Sequence, residues 1–316
     1  MPHVVVLMAT FNGEKHIAEQ LDSILGQKAV TVTVYVRDDH SADTTTVIVE
    51  RYSRQYANVI LLSSLPQRMR VTRNFYSIVR DIEMVPFDYM AYADQDDIWL
   101  PDKLSAAIYS IKGSGSNCYA SNLLRADENG NIIKERSVLK RCISYLFNSK
   151  SARQTRYDHY FEAASAGCTL VLDKTATVYF QERVQQIYDQ LPGDTSHDWS
   201  TYAITRIGGF TWTIDTGSYI IYRQHADNAY GANLGRGGIG KLLEWFTSGR
   251  YLMHIRMIDS LYNNTGLHPP FMKAVNGYKR SSLLSRIRLA LAVSGYRRKL
   301  IHRVLLFGLI VMGYLK

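Results

Sequence analysis

"VVVLMATFNGEKHIAEQLDSILGQKAVTVTVYVRDDHS", residues 4–41, reads as strand, helix, strand. The opening run is β-branched and apolar, as a buried strand requires. Ile17, Leu21, Ile24 and Leu25 then recur at helical spacing, with Glu14 in the acid-favouring first turn. "AVTVTVYVRDD" returns to strand and ends on Asp38 and Asp39. The alternation continues outward. "SADTTTVIVERYSRQY" predicts a second helix capped by Ser41 or Asp43, and "NVILLSS" a third strand. "RNFYSIVRDIEMV" predicts a third helix and "DYMAYA" a fourth strand. Strands separated by helices make a parallel sheet covered on both faces. Such sheets bind ligands beyond the carboxyl ends of their strands. "ATFN", "RDDHS" and "ADQDD" all fall at those ends, so three polar clusters share one rim.

The rest of the chain is less regular. "NCYASNLLRADENGNII" predicts a hairpin turning at Asn129-Gly130, and residues 134–160 are polar and irregular. "GCTLVLD" predicts a strand, "TATVYFQERVQQIYDQL" and "HDWSTYAITRIG" predict helices, and "GFTWTIDTGSYIIYRQH" alternates like a final strand pair. The 316 residues are 46% hydrophobic and 21% charged, with only 7 prolines, which excludes a disordered chain. Cys118, Cys142 and Cys168 are odd in number and widely spaced, so a reducing compartment without a disulfide framework is expected. The amino terminus lacks a basic run ahead of its short apolar stretch, and no export signal is expected. Charge is uneven. Residues 236–316 carry 14 Lys/Arg against 2 Asp/Glu, while residues 1–235 carry 23 against 26. A boundary is expected near the Gly-rich "YGANLGRGGIG", residues 230–240, giving regions 1–235 and 236–316.

The densest chemistry lies in "AYADQDDIWLPDKL", residues 91–104. Asp94 and Asp96 lie two apart, so in extended backbone their carboxylates point the same way. Paired carboxylates in an oxygen-rich setting suit a hard cation, Mg²⁺ or Mn²⁺, that also takes substrate phosphates. The competing reading is a solvated turn. Its position at the ligand edge of a parallel sheet favours the cation.

These stretches, with "AGCTLVLDK", "HDWSTYAI" and "YIIYRQHADNAYGA", resemble the family 2 glycosyltransferases of GT-A fold, and within them the bacterial rhamnosyltransferase-like branch. The resemblance spans about residues 3–232 and implies a nucleotide-diphospho-sugar transferase. The implied fold is a Rossmann-like, mostly parallel α/β sheet with helices on both faces and a C-terminal helical extension. The implied reaction is metal-dependent and inverting, and moves a sugar from a nucleotide diphosphate to an acceptor. By resemblance, Ala9, Thr10, Phe11 and Asn12 line the base and ribose, and Glu14 belongs with the donor set. Asp39, or Asp38 in its place, accepts from a pyrimidine imide N–H. Arg73 and Asn74 fall in a stretch used near the donor, and Arg73 suits diphosphate oxygens. Asp94 lies near the ribose or shares the metal, and Gln95 belongs with the donor set. Asp96 binds the metal, with Asp94 and His225 beside it. Asp198 matches the base that deprotonates the acceptor hydroxyl, at a helix start whose dipole keeps it ionised. Without the resemblance, Asp198 reads as a helix cap. His197, Trp199 and Trp99 are acceptor-side candidates, both tryptophans competing with a core reading. Cys168 reads as packing against the sheet.

Residues 237–316 read as helices, and the apolar run Val304–Leu315 is 12 residues, short of a bilayer span. Arg297, Arg298, Lys299 and Arg303 precede it, a pattern of interfacial membrane binding at the inner face of a plasma membrane. The competing reading is a helical subdomain packed on protein. No nucleic-acid reader motif accompanies the charge, so nucleic acid is not an expected partner. The expected partners are a nucleotide-sugar donor, with dTDP-rhamnose ahead of a UDP-sugar, and a glycan or lipid-linked glycan acceptor. An oligomer is left open. Two other classes compete. A nucleotidyltransferase would carry a Gly-rich basic loop after the first strand, where "MATFNGEKH" has one glycine. A membrane-docked scaffold without catalysis would not need Asp94, Asp96 and Asp198.

Overall fold

The computed structural model describes residues 1–83, 86–133, 154–191, 196–224, 246–263 and 271–315. His225, Cys142, the 230–240 boundary and the start of the helix expected after it lie outside these residues. Eight strands form one sheet in the order β3-β2-β1-β4-β7-β6-β8-β5. They are β1 His3–Thr10, β2 Thr31–Asp38, β3 Val59–Leu62, β4 Tyr89–Ala93, β5 Ile98–Trp99, β6 Cys118–Ala126, β7 Val171–Asp173 and β8 Trp212–Arg223. The first four pair in parallel, as the alternation predicts. β7 then runs antiparallel to β4 and β6, and β5 antiparallel to β8, while β6 and β8 are parallel. The sheet is therefore mixed, with its parallel half carrying the rim. β1 pairs with β2 on one side and β4 on the other, so the crevice between β1 and β4 is where strand order reverses.

β1 shows why the sheet is buried on both sides. Val4, Val6 and Met8 enter one apolar cluster, and Val5 and Leu7 enter the other. α1 (Ile17–Leu25), α2 (Thr45–Gln55) and α4 (Lys103–Ser114) cover the first face through Leu21, Val49 and Leu104. α3 (Arg70–Asp81), α5 (Lys174–Ile187) and α6 (His197–Ile207) cover the second through Phe75, Phe180 and Tyr202.

Two sequence expectations are corrected. The expected strand pair at 209–225 is one strand, β8, because its "DTG" is absorbed as irregularity in a parallel pairing with β6 instead of making a turn. The expected hairpin at 117–133 shrinks to a single antiparallel bridge between Ala126 and Ile132. Its turn forms as expected, with Gly130 at φ 82°.

The C-terminal helices are α7 (Arg250–Asn263), α8 (Met272–Asn276), α9 (Leu283–Ser294) and α10 (Leu300–Val311). Ile255, Phe271, Leu289 and Ile310 join the same apolar cluster as Phe75 and Tyr202. Among the described residues no helix is long and apolar enough to cross a membrane. The basic run before α10 is not a free cationic face. Arg298 is 7% exposed and pairs with Glu162 at 3.1 Å and Asp158 at 3.6 Å. Arg297 donates to the Phe161 carbonyl, and Arg303 Nε to the Arg297 carbonyl at 2.6 Å. Arg297 and Arg298 hold the tail to the body, and Arg303 closes a contact within the tail.

Candidate active site

A cavity of about 810 Å³ opens at the crevice between β1 and β4. Ala9, Thr10, Phe11, Asn12 and Glu14 line it from the end of β1, and Asp94, Gln95 and Asp96 from the end of β4. Asp39, Asn74, His197 and Asp198 complete the predicted residues found there. Three clusters far apart in sequence thus meet at one rim, as the fold expectation requires.

Hydrogen bonds divide these residues into those that face the cavity and those that build it. Asp38 is buried, accepting from Thr10 Oγ1 at 2.9 Å and from the Ser41 N–H at 2.7 Å. It shapes the loop and does not line the cavity, so the alternative placing it on a base is corrected in favour of Asp39. Asp39 accepts the Met69 and Arg70 N–H groups, one on each oxygen, at 2.6 and 2.7 Å. A carboxylate oxygen has two lone pairs, so each can take a further donor. The Asn12 N–H donates to Ser41 Oγ and its Oδ1 accepts from Ala42 N–H, while Glu14 Oε2 accepts from Thr44. Both therefore stitch the β1 and β2 loops together. Asn74 Nδ2 donates to the Arg37 carbonyl at 2.9 Å, anchoring α3 to the end of β2. Asn12, His40 and Arg70 have φ of 48°, 63° and 63°, a left-handed conformation costly for non-glycine residues. These three of the four such residues among the described ones lie near this rim, while Ala29 lies at the other end of β2.

Gln95 is the firmest clamp. Its Oε1 accepts the Phe11 N–H at 2.8 Å and its Nε2 donates to the Phe11 carbonyl at 2.9 Å. The amide thus copies a β-ladder pair and is spent on backbone, while the residue still lines the cavity where the donor set was expected. Gly13 is required beside it, because a Cβ there would lie 2.5 Å from Gln95 Oε1. Two further side chains fasten the same turn, and sequence reading missed both. Gln20 of α1 donates to the Asp94 carbonyl at 2.9 Å, and Arg223 at the end of β8 donates to the Asp96 carbonyl at 3.3 Å and pairs with Glu19.

Arg73 is corrected. It donates to the Leu191 carbonyl at 3.1 Å, sits over the Tyr188 ring and does not line the cavity. Arg68 does line it, 3.5 Å over the Phe11 ring and 3.8 Å from Asp39. The signal for it was present, since "RMRVTR" holds three arginines. Trp99 and Trp199 are also corrected to core. Trp99 is 2% exposed under Lys103 Nζ, and Trp199 donates from Nε1 to the His159 carbonyl at 2.6 Å, its ring 3.7 Å from that of His254.

Asp198 sits in the first turn of α6, whose N-cap is Ser196. It is not itself the cap. Its Oδ1 accepts from the Ser196 hydroxyl and from the Trp199 N–H, and the residue lines the cavity. His197 stacks on Phe75 at 4.1 Å, and burial drives its imidazole down to about 3, so it stays neutral. It forms a wall of the cavity and leaves no room for a Cβ at Gly167, which would lie 2.2 Å from its Nε2.

Burial, with the charges of Asp96 and Asp198 adding to it, pushes Asp94 up to about 7. Three carboxylates facing one cavity therefore repel each other, and a cation between them would relieve the repulsion. A second set lies beneath the turn. Ligand atoms of Asp94, Asp97 and Cys168 lie within 4.8 Å of one another. Asp97 is fully buried, and burial raises it well above the carboxylate range. Burial also lowers Lys103 to about 7. Asp97 and Cys168 of this set are buried beneath the cavity floor, and the thiol is a poor ligand for a hard cation. Asp94, Asp96 and Asp198 offer oxygen alone to the cavity, the donor type that Mg²⁺ or Mn²⁺ takes.

Comparison with known proteins agrees with this geometry. The family model for glycosyl transferase family 2 matches residues 5–170. A dTDP-rhamnosyl transferase, RfbG of Shigella flexneri, is 34% identical over 230 residues, covering 72% of this chain and 74% of the relative. A putative glycosyltransferase, EpsE of Bacillus subtilis, is 29% identical over 122 residues, 36% of this chain and 43% of the relative. Among solved structures, S. aureus TarS 1–349 in complex with UDP-GlcNAc superposes with a TM-score of 0.55 at 15% identity, covering 94% of this chain and 80% of that one. Mannosyltransferase PcManGT from Pyrobaculum calidifontis, in complex with GDP-Man and Mn²⁺, gives 0.52 at 16%, covering 96% and 74%. At such identities the two structures speak to fold alone.

Proposed function

The chain belongs to glycosyl transferase family 2, and from that membership and the cavity we propose that it transfers rhamnose from dTDP-rhamnose to a glycan acceptor, with inversion at the anomeric carbon. The observation that carries this reading is the meeting of Asp94, Asp96 and Asp198 in one cavity beside Phe11 and Asp39. Rhamnose is supported by the name of the 34% identical relative.

Phe11 offers its ring to the pyrimidine, and Asp39 accepts the imide N–H on a remaining lone pair. Asp94 and Asp96 would hold Mg²⁺ or Mn²⁺, and that ion would supply charge neutralisation for the departing diphosphate. Gln95, Gln20 and Arg223 keep the Asp94–Asp96 backbone in place through its carbonyls and the neighbouring loop. Asp198 takes the proton of the acceptor hydroxyl as the C–O bond to the anomeric carbon forms. The amino end of α6 favours its ionised form. His197, neutral, shapes the wall without competing for that proton. The enzyme works in the cytoplasm on the inner face of a bacterial plasma membrane, on a lipid-linked glycan of surface polysaccharide assembly. The cationic surplus of residues 236–316 supports that location.

The test is a panel of nucleotide sugars assayed for nucleotide diphosphate release, with and without Mn²⁺. Release from dTDP-rhamnose that requires both the metal and Asp96 is expected. Release from a UDP-sugar alone would move the donor assignment, and metal-independent release would remove the cation from the reading.

A further inference from the structure

A second recess, of about 280 Å³, lies between α8 and α9, in the C-terminal helices. Lys273, Lys279 and Arg288 line it together with Ser282 and Ser285. From residue 260 to 316 the sequence holds ten Lys/Arg and no Asp or Glu, so nothing in this stretch offsets their charge. Other arginines of the segment are committed to protein. Arg280 Nε donates to the Gly313 carbonyl at 2.9 Å, and Arg297, Arg298 and Arg303 make the contacts described above. Lys273, Lys279 and Arg288 make no side-chain hydrogen bond or ion pair among the described residues.

Leucines flank the recess. Leu283 is 54% exposed, Leu284 59% and Leu291 64%. Leu284, Arg288 and Leu291 stand at i, i+4 and i+7, so one stripe of α9 presents leucine, arginine, leucine to the outside. A helix face turned to water has no use for that stripe. A cationic recess beside exposed leucines matches the interfacial zone of a bilayer, with phosphate at the headgroup level and acyl chains beneath.

We propose that this recess binds the phosphate headgroup of an anionic phospholipid, with Leu283, Leu284 and Leu291 entering the acyl boundary beside it. The inference deepens the membrane location given above, and moves the contact from the basic run at 297–303 to α8 and α9. It does not depend on which sugar is transferred.

The test uses the full chain and sedimentation with phosphatidylcholine vesicles containing or lacking phosphatidylglycerol, at fixed salt. At ~1 kcal/mol per cation near an anionic surface, the triple change Lys273→Gln, Lys279→Gln and Arg288→Gln lowers the vesicle partition coefficient by about 100-fold. Removing three exposed lysines elsewhere, Lys28, Lys112 and Lys174, lowers net charge equally and is expected to leave most of the binding. Leu284→Ser with Leu291→Ser weakens binding even to vesicles rich in phosphatidylglycerol. Sugar transfer to water or a soluble acceptor, read as nucleotide diphosphate release, stays unchanged in all three variants, which separates this site from the cavity. The proposal is overturned if the triple variant binds as the parent does, or if the two triple variants lose binding equally. It is also overturned if the full chain binds vesicles with and without phosphatidylglycerol equally, or if inorganic phosphate binds through Lys273, Lys279 and Arg288 while the vesicles do not, since the recess then serves a soluble anion.

Discussion

Gln95 and Gly13 form a lock that a double-mutant cycle can open. Gln95→Ala removes both hydrogen bonds to Phe11, each worth ~1 kcal/mol net, for a loss of ~2 kcal/mol. Gly13→Ala adds one methyl group. Its carbon would lie 2.5 Å from Gln95 Oε1 and 2.6 Å from Cδ, and the three nearest atoms it meets all belong to Gln95. The φ of Gly13 is not positive, so alanine meets no backbone penalty there. The methyl must expel the Gln95 amide, breaking the same two bonds at the same ~2 kcal/mol. Once Gln95 is alanine the obstruction is gone, and Gly13→Ala is expected to cost only a few tenths more. The cycle therefore predicts a coupling of ~2 kcal/mol, well above the ~0.5 kcal/mol scatter of independent sites. Urea unfolding of the four proteins measures it. If the double variant loses the sum, ~4 kcal/mol, Gly13 serves some other purpose and the lock does not exist. dTDP affinity in the presence of Mn²⁺ gives a second readout, since Phe11 moves when its clamp goes.

Other outcomes follow from the same geometry. Asp198→Asn is expected to leave donor binding intact and lower turnover ~10²–10⁴-fold; near-parental turnover would remove it as base. His197 and His254 are each held neutral by burial, down to about 3, against an ordinary value of 6.5. Below 6.5 the unfolded chain takes protons the folded chain refuses, so stability is present at neutral pH and falls as pH drops. At pH 5 each histidine removes ~2 kcal/mol, and His254→Leu should flatten the fall in urea midpoint between pH 7.5 and 5; a slope equal to the parent's would refute this. Arg298→Ala leaves Asp158 and Glu162 short of a buried partner and should cost ~3–5 kcal/mol. Truncation after residue 296 should accordingly yield insoluble protein; a folded, soluble product would show that the tail is dispensable to the body.

The parallel half of the sheet was legible because its strands are continuous apolar runs and its helices keep a clear period. Even so, α1 begins at Ile17 and α2 at Thr45, each later than the sequence suggests, because the polar residues before them build the rim. β8 was misread because its partner β6 lies about ninety residues away, and a local "DTG" cannot announce a distant parallel pairing. At the site, Asp94, Asp96, Asp39 and Asp198 were found, since carboxylates at strand and helix ends stand out. Gln20 and Arg223 were not, because holding a backbone carbonyl leaves no periodic or compositional trace. Arg73 and Arg68 show the same limit. Both are arginines near α3, and only packing decides which reaches the cavity.

The helix that carries Asp198 is riveted from behind. Arg206 on α6 and Arg298 before α10 both grip Asp158, at 3.0 and 3.6 Å. A protein seated on lipid by α8 and α9 would thus have no slack between its footing and Asp198. If Asp198 is the base, the height of the reaction above the bilayer would become a built-in dimension, and a growing glycan would be served only over the span of chain lengths that reaches it.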